Sequence, residues 1–249
     1  MHVPEFKLGN RFEFDNIFQP VLCGDEYRLG PSRLKPEDVV IDIGAHIGSF
    51  ALLCHQKGSR AIYCFEPSRR NFILLQLNVG SLEGLHLSRT AVWRSDCADR
   101  SELTLSGAAG ENTGSHCVLA GGLAIDIPAQ GLCGEPGEAT RVSATPLDRI
   151  LERFDTVKLL KFDCEGSEFP ILLTSRRLDR VERLVGEVHE IHQDLIEHLN
   201  PDARLTGYLS YRLQDLIARL ESAGFSVQAR SAATNMFIVD ARRRAGKTN

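Results

Sequence analysis

Residues 39–50, VVIDIGAHIGSF, decide the fold. The first five are mostly β-branched, which is typical of a strand buried on both faces. Gly44 and Gly48 follow, and from Ser49 apolar residues recur at the spacing of a helix. A buried strand that turns through glycines into a helix is typical of an open α/β sheet, in which ligands bind at the carboxyl ends of the strands.

The same alternation of strand and helix extends in both directions along the chain. Strands are predicted at 39–43, 61–65, 85–92, 157–163 and 184–188, with helices at 49–56, 69–78, 146–153 and 167–175. A helix around Leu213–Leu220 precedes two strands, 225–229 and 235–240, joined by a short Ser/Ala loop. These last strands lie too close in sequence for a helical crossover, so they form an antiparallel hairpin. The sequence predicts a Rossmann-like α/β fold with a seven-stranded, mostly parallel sheet, a C-terminal antiparallel hairpin and helices on both faces.

Length and composition favour one domain. The 249 residues are 43% hydrophobic and 25% charged, as in an ordinary globular protein. Residues 1–249 are therefore predicted to form a single domain, in which 1–36 is an N-terminal segment. Residues 106–141 form a loop-rich insertion with eight glycines between Gly107 and Gly137. Because long irregular insertions often have a function, this one is the candidate substrate lid.

Charge and cysteine content limit the partners. The net charge is -4 and the sequence pI is about 6.1, without the basic excess typical of nucleic-acid binders. We expect no membrane span and no secretory signal, since neither apolar pattern is present. The seven cysteines include no C-x-x-C pair and are interpreted as reduced thiols in a cytoplasmic protein. The expected partner is a small-molecule acceptor, and a homodimer is left open.

An acid in the turn after the first strand points to a cationic ligand. Asp42 precedes Gly44, Ala45, His46 and Gly48, where a carboxylate would repel a phosphate at the helix N-terminus. The ammonium and sulfonium groups of S-adenosylmethionine fit such a turn, with Asp42 holding the ammonium directly or through water. This turn is therefore predicted to bind S-adenosylmethionine.

A second acid, Glu66, ends the second predicted strand and is followed by Pro67. A carboxylate there can accept hydrogen bonds from both ribose hydroxyls of a nucleoside. NAD would use the same acid, but its binding turn normally reads G-x-G-x-x-G, whereas this chain has G-x-x-x-G from Gly44 to Gly48. An NAD-type oxidoreductase is the alternative enzyme, and a non-catalytic nucleoside-binding scaffold is the alternative outside enzymes.

Candidate catalytic residues follow two later strands. Lys161, Asp163 and Glu165 alternate at the end of one strand, and Glu187 and His189 at the end of the next. Buried charges must be paired or used, so these groups are predicted to be catalytic. His189 is the predicted general base, because imidazole is suited to proton transfer near neutral pH.

A divalent metal ion is the alternative for the second cluster. Asp163, Glu187 and His189 could hold an ion that lowers the pKa of a substrate hydroxyl. The metal-free base is preferred, so no metal is expected.

The ordered motifs resemble the FkbM-type methyltransferase family. They are VVIDIGAHIGSF (39–50), CFEPSRRNFILLQLN (64–78), TAV (90–92), TPLDRIL (145–151), LLKFDCEGSEFPIL (159–172), GEVHE (186–190), GF (224–225) and NMFIV (235–239). The resemblance implies a class I methyltransferase fold. It also implies S-adenosylmethionine as cofactor and O-methylation of a small-molecule or sugar hydroxyl, often in secondary-metabolite biosynthesis. By the same resemblance, Ala91, Asp163 and Ser115 are implied to lie near the cofactor.

Overall fold

The computed structural model describes residues 6–8, 10–31, 33–97, 99–105, 140–196, 199 and 201–245. Within them the chain forms ten strands: β1 Val39–Ile43, β2 Ala61–Phe65, β3 Leu85–Ser88, β4 Ala91–Trp93, β5 Glu102–Leu105, β6 Thr140–Pro146, β7 Leu159–Phe162, β8 Arg183–His189, β9 Phe225–Ala233 and β10 Met236–Arg243. Seven of these form one sheet in the order β3-β2-β1-β7-β8-β10-β9. The predicted seven-stranded sheet is confirmed.

The register of the main sheet creates the ligand crevice. Strands β3, β2, β1, β7 and β8 run parallel, while β10 is antiparallel to both β8 and β9. The order reverses between β1 and β7, and Asp42 on β1 lies opposite Lys161 on β7. A crevice opens outside the carboxyl ends of strands at such a reversal, which is where the candidate site lies.

Helices cover both faces of this sheet. They are α1 Arg11–Glu13, α2 Gln19–Leu22, α3 Ser49–Lys57, α4 Arg69–Val79, α5 Leu147–Leu151, α6 Glu168–Thr174, α7 Gln193–Ile196 and α8 Leu213–Ser222. Successive residues of a strand face opposite sides, so Val40 and Ile41 enter different cores. Val40 packs in the core with α3 and α4, and Ile41 in the core with α6 and α8.

The region from 85 to 93 differs from its prediction. A single strand over 85–92 was expected, but β3 ends at Ser88 and β4 begins at Ala91. After this break the chain enters a second sheet, of order β4-β6-β5, in which all three residues of β4 are buried. Apolar residues lie on both sides of the break at Arg89 and Thr90, which explains why one strand was expected.

The C-terminal hairpin is confirmed, but its turn lies elsewhere than predicted. Ser231 pairs with Phe237 and Ala233 with Met236, so the predicted Ser/Ala loop belongs to β9. The turn falls at Thr234 and Asn235, where Asn235 has a φ of 57°. Asparagine is among the few residues that tolerate this conformation.

The N-terminal segment packs over the carboxyl end of the sheet. After α1, a π-helical turn spans Phe14–Phe18 and leads into α2. Tyr27 then packs edge-on against Phe50, with ring centroids 5.4 Å apart. Arg183 donates to the carbonyls of Tyr27 and Arg28, which ties the segment to β8.

The insertion 106–141 lies almost wholly outside the described residues, so its role as a lid stays a prediction.

In the part of the chain that the structure describes, no helix is long and apolar enough to cross a membrane.

Candidate active site

A cavity of about 430 Å³ opens at the carboxyl ends of β1, β2, β7 and β8. Most of the residues predicted from sequence meet there. Those lining the cavity are Gly44, Ala45, His46, Glu66, Pro67, Ala91, Lys161, Asp163, Glu165, Glu187 and His189. Asp42 and Gly48 do not line it, and Ser115 lies outside the described residues.

The two glycines after β1 shape the turn rather than leaving it flexible. Gly44 has a φ of 73°, and a Cβ there would lie 1.9 Å from the carbonyl oxygen of Asp163. Gly48 has a φ of 98°, and its Cβ would lie 3.0 Å from Leu75 Cδ1. A side chain at Gly44 would therefore push apart the ends of β1 and β7, whereas Gly48 allows α3 to pack against α4.

Asp42 lies beneath the turn and does not line the cavity, so its predicted role of holding the cofactor ammonium, directly or through water, stays a prediction. Its side chain is fully buried, and Lys161 Nζ lies 3.3 Å from Asp42 Oδ1. Lys161 also donates to the carbonyl of Gly44 at 2.6 Å and lies 3.7 Å from Asp163. Burial opposes the charged lysine, but Asp42 and Asp163 outweigh it and raise the pKa of Lys161. Asp42 therefore keeps a buried cation in place below the turn, and Lys161 is a positioning residue.

Glu66 presents a carboxylate to the cavity from the end of β2. Its Oε2 accepts a hydrogen bond from the backbone N–H of His46 at 2.9 Å, and its Oε1 accepts one from Ser68 at 2.8 Å. Burial raises the pKa of Glu66 to about 7, although both hydrogen bonds lower it. Each carboxylate oxygen has a further lone pair, so Glu66 can still accept from two ligand hydroxyls.

Two buried hydroxyls in the cavity wall support a polar ligand. Ser49 Oγ, in the first turn of α3, and Ser167 Oγ, before α6, have no hydrogen-bond partner among the described residues. Both residues line the cavity. Buried polar groups are normally paired, so these hydroxyls fit a site completed by a polar ligand. Together with Glu66 and the close turn at Gly44, they fit a bound nucleoside with an amino-acid tail.

At the other end of the cavity, His189 lies among three glutamates. Its Nδ1 lies 3.5 Å from Glu168 Oε1, and its Nε2 lies 3.8 Å from Glu165 and 3.6 Å from Glu187. The imidazole is only 5% exposed. Burial would lower its pKa, but the carboxylates of Glu168, Glu165 and Glu187 outweigh burial and raise the pKa of His189 to about 10.

This raised pKa argues against His189 as the base. An imidazolium at neutral pH has no free lone pair with which to take a proton. Burial and Asp163 instead raise the pKa of Glu187 to about 8, and Glu187 remains 18% exposed. Glu187 is therefore the better proton acceptor, and His189 is the cation that holds the carboxylates together.

Glu168 was not predicted as a functional residue, although it lies in the motif 159–172. It is fully buried, and its Oε1 accepts from the backbone N–H groups of Cys164 at 2.8 Å and Gly166 at 3.1 Å. These bonds fix the loop after β7, where Glu165 has a φ of 52°. The signal in the sequence was a second glutamate three residues after Glu165, at the start of a helix.

The N-terminal segment supplies two further cavity residues that sequence reasoning missed. Tyr27 donates from its hydroxyl to Asp163 Oδ2 at 3.3 Å. Glu26 lines the cavity beside it, and burial and Asp163 raise the pKa of Glu26 to about 6. Gly24 and Gly30 flank these residues, but no strand signal precedes them, so only the folded chain shows that they face the site.

The metal alternative has no support in the geometry. Among the described residues, no three His, Cys, Asp or Glu side chains are grouped so that they could hold a metal ion. Asp163 is instead engaged with Tyr27 and Lys161.

The chain is similar in sequence to known methyltransferases. A family model described as the methyltransferase FkbM domain matches residues 42–227. The chain is 29% identical over 259 residues to the 31-O-demethyl-FK506 methyltransferase FkbM of Streptomyces tacrolimicus, covering 95% of this chain and 93% of that protein.

Solved structures of methyltransferases are similar to the chain at low sequence identity. The methyltransferase FkbM of Methylobacillus flagellatus KT is 15% identical, with a TM-score of 0.46 over 86% of this chain. This chain spans only 46% of that protein's length. An rRNA methylase from Streptococcus thermophilus is 13% identical, with a TM-score of 0.48 over 91% of this chain and 98% of that one.

The family match covers well over half of the chain and includes the carboxyl ends of β1, β2, β7 and β8. The seven-stranded sheet has the Rossmann-like form predicted from the sequence. The chain therefore belongs to the FkbM family of S-adenosylmethionine-dependent methyltransferases.

Proposed function

We propose that the protein transfers a methyl group from S-adenosylmethionine to a hydroxyl group of a small-molecule acceptor in the cytoplasm. One observation carries the proposal: a single cavity has a nucleoside-type carboxylate, Glu66, on one side and a proton-accepting carboxylate, Glu187, on the other. The printed name of the Streptomyces tacrolimicus relative describes O-methylation for that protein. Family membership favours this reaction over NAD-dependent oxidation.

The residues around the turn after β1 are suited to hold the cofactor. Glu66 would accept from the ribose hydroxyls, the Gly44 turn would allow close approach of the backbone, and Ser49 would donate to a polar group of the amino-acid tail. S-adenosylmethionine supplies an activated methyl group on a sulfonium when bound. Asp163 offers a carboxylate near the positive charge of this cofactor.

The carboxylates near His189 are suited to remove the proton of the acceptor. An alcohol becomes an effective nucleophile only when a base takes its proton, an effect worth roughly 10² to 10⁴ in rate. Glu187 takes the proton at its carboxylate, and protonated His189 holds that carboxylate at 3.6 Å. Ser167 can donate a hydrogen bond that orients the acceptor.

A labelled-methyl assay tests the reaction class. Purified protein is incubated with S-adenosylmethionine carrying a labelled methyl group and with a set of hydroxylated small molecules. The expected product carries the label in an ether, which resists alkali. Label that alkali releases would indicate an ester and therefore a carboxylate acceptor, whereas label on nitrogen would indicate N-methylation.

A further inference from the structure

A second cleft, of about 320 Å³, lies beside the active-site cavity. It is bounded by the N-terminal segment at Tyr27 and Arg28 and by the hairpin at Gln228, Arg230 and Asp240. Tyr27 lines both the cleft and the cavity. The two spaces therefore adjoin at this side chain.

The cleft carries an excess of positive charge. Its one acid, Asp240, is already paired with Arg183 at 2.9 Å and with Arg242 at 3.1 Å. Among the described residues, no carboxylate lies within ion-pair distance of Arg28 or Arg230. Arg230 donates to the backbone carbonyl of Glu26 at 2.9 Å, which fixes its guanidinium at the cleft.

The strand register places Arg230 close to the reacting end of the cavity. Glu187 on β8 lies opposite Ile238 on β10, and Ile238 lies opposite Arg230 on β9. Residues opposite each other point to the same face of a sheet. Neighbouring strands are spaced by about 4.8 Å, so Arg230 and Glu187 are separated by about 10 Å along one row. This separation is within the length of a small molecule.

The two spaces have opposite charge. The cavity is lined by five carboxyl groups, those of Glu26, Glu66, Asp163, Glu165 and Glu187. Its cations Lys161 and His189 are paired with the buried carboxylates of Asp42 and Glu168. Above about pH 8, where Glu187 is ionised, an anionic group would be repelled from the cavity and attracted to the arginines of the cleft. Arginine is also the side chain best suited to bind phosphate and carboxylate groups through two hydrogen bonds.

We propose that the cleft between Arg28 and Arg230 binds an anionic substituent of the acceptor, such as a phosphate, sulfate or carboxylate, while the acceptor hydroxyl lies beside Glu187. The assignment of the anion to the acceptor rests on the proposed methyl transfer. The prediction that the cleft binds an anion is independent of the methyl transfer.

Calorimetric titration with inorganic pyrophosphate tests the cleft. The wild-type chain is compared with Arg28→Asn, Arg230→Gln and the control Arg149→Gln. Asparagine is chosen at position 28 because it tolerates the backbone φ of 49° there. Arg149 is chosen as the control because it is exposed on α5 and lines neither the cavity nor the cleft. Pyrophosphate is expected to bind the wild type and the control equally, and about tenfold or more weakly to each cleft variant. No binding to the wild type at millimolar concentration, or equal binding to all four proteins, would overturn the proposal.

A titration of S-adenosylhomocysteine in the presence and absence of pyrophosphate tests which ligand the anion belongs to. Its affinity is expected to be unchanged by pyrophosphate and by Arg28→Asn, because the cleft lies on the acceptor side. Competition between the two would assign the arginines to the cofactor and overturn the acceptor assignment. Failure of S-adenosylhomocysteine to bind at all, with pyrophosphate binding intact, would count against the proposed function and not against the anion site.

Discussion

Glu66 is a buried carboxylate whose charge changes within the physiological pH range, since burial raises its pKa to about 7. As an ionised acceptor it binds ligand hydroxyls; once protonated, it loses part of that capacity. Because its pKa is raised, the ionised form decreases as pH falls through about 7. Cofactor affinity should therefore decrease with falling pH, by about tenfold per unit at most well below that pKa.

Calorimetry with S-adenosylhomocysteine between pH 8 and about 5.5 checks this prediction against the variant Glu66→Gln. The variant keeps the shape of the side chain but has no charge to titrate. It should bind more weakly at pH 8, since a charge-assisted hydrogen bond contributes about 1.5 to 3 kcal/mol. If wild type and variant showed the same pH dependence, another group would be responsible.

His189 gives a second prediction, which separates a positioning residue from a base. In the wild type, turnover should rise as pH increases through about 8, where Glu187 loses its proton, while His189 remains protonated up to about 10. The positive charge of His189 lowers the pKa of Glu187. His189→Gln should therefore lower turnover and move the rise to higher pH, because Glu187 then holds its proton more tightly.

The pH dependence of turnover in His189→Gln and Glu187→Gln tests these roles. Glu187→Gln should remove the rise and reduce turnover by about 10² or more, the usual effect of losing a general base. Loss of the rise in His189→Gln, with a normal profile in Glu187→Gln, would restore His189 as the base. Affinity for S-adenosylhomocysteine serves as the control for folding of both variants.

Among the elements, the turn between β1 and α3 is sensitive to a single added methyl group. Gly44→Ala has two costs: the positive φ, about 1 to 2 kcal/mol, and a collision with the carbonyl of Asp163. Gly207→Ala is the matched control, since Gly207 has a φ of 89° and open space around it. Denaturant unfolding should show Gly44→Ala to be less stable than Gly207→Ala by about 1 to 3 kcal/mol.

The same comparison should extend to ligand binding. Gly44→Ala is expected to weaken S-adenosylhomocysteine binding because it displaces the end of β7, which carries Asp163. Gly207→Ala should bind normally. Equal losses of stability in the two variants would mean that the ends of β1 and β7 can separate without cost.

Local sequence patterns predicted the positions of strands and helices better than they predicted which strands pair. The β-branched run of β1 and the glycines after it identify a buried strand and its turn without any knowledge of neighbours. Neither the break at Arg89 and Thr90 nor the second sheet was predicted, because β4 takes its partner from β6, about fifty residues later. The turn of the hairpin was misplaced for a related reason: small residues such as Ala232 fit a strand when the partner strand is present.

For the whole molecule, long-range contacts decide which of the predicted residues face the ligand. The sequence places Asp42 at a strand end, but only the register of β1 with β7 shows that it pairs with Lys161, 119 positions later. Similarly, Glu26 and Tyr27 reach the cavity because the N-terminal segment packs over the sheet. The strand ends were predictable from periodicity, whereas charge pairing and burial depend on the complete fold.

The central claim is that the cavity at the carboxyl ends of the strands binds S-adenosylmethionine. Calorimetric titration of the wild-type chain at pH 8 with S-adenosylhomocysteine and with NAD⁺ tests it most directly. S-adenosylhomocysteine is expected to bind saturably at one site per chain, without competition from NAD⁺. Saturable binding of NAD⁺ without binding of S-adenosylhomocysteine would contradict this claim.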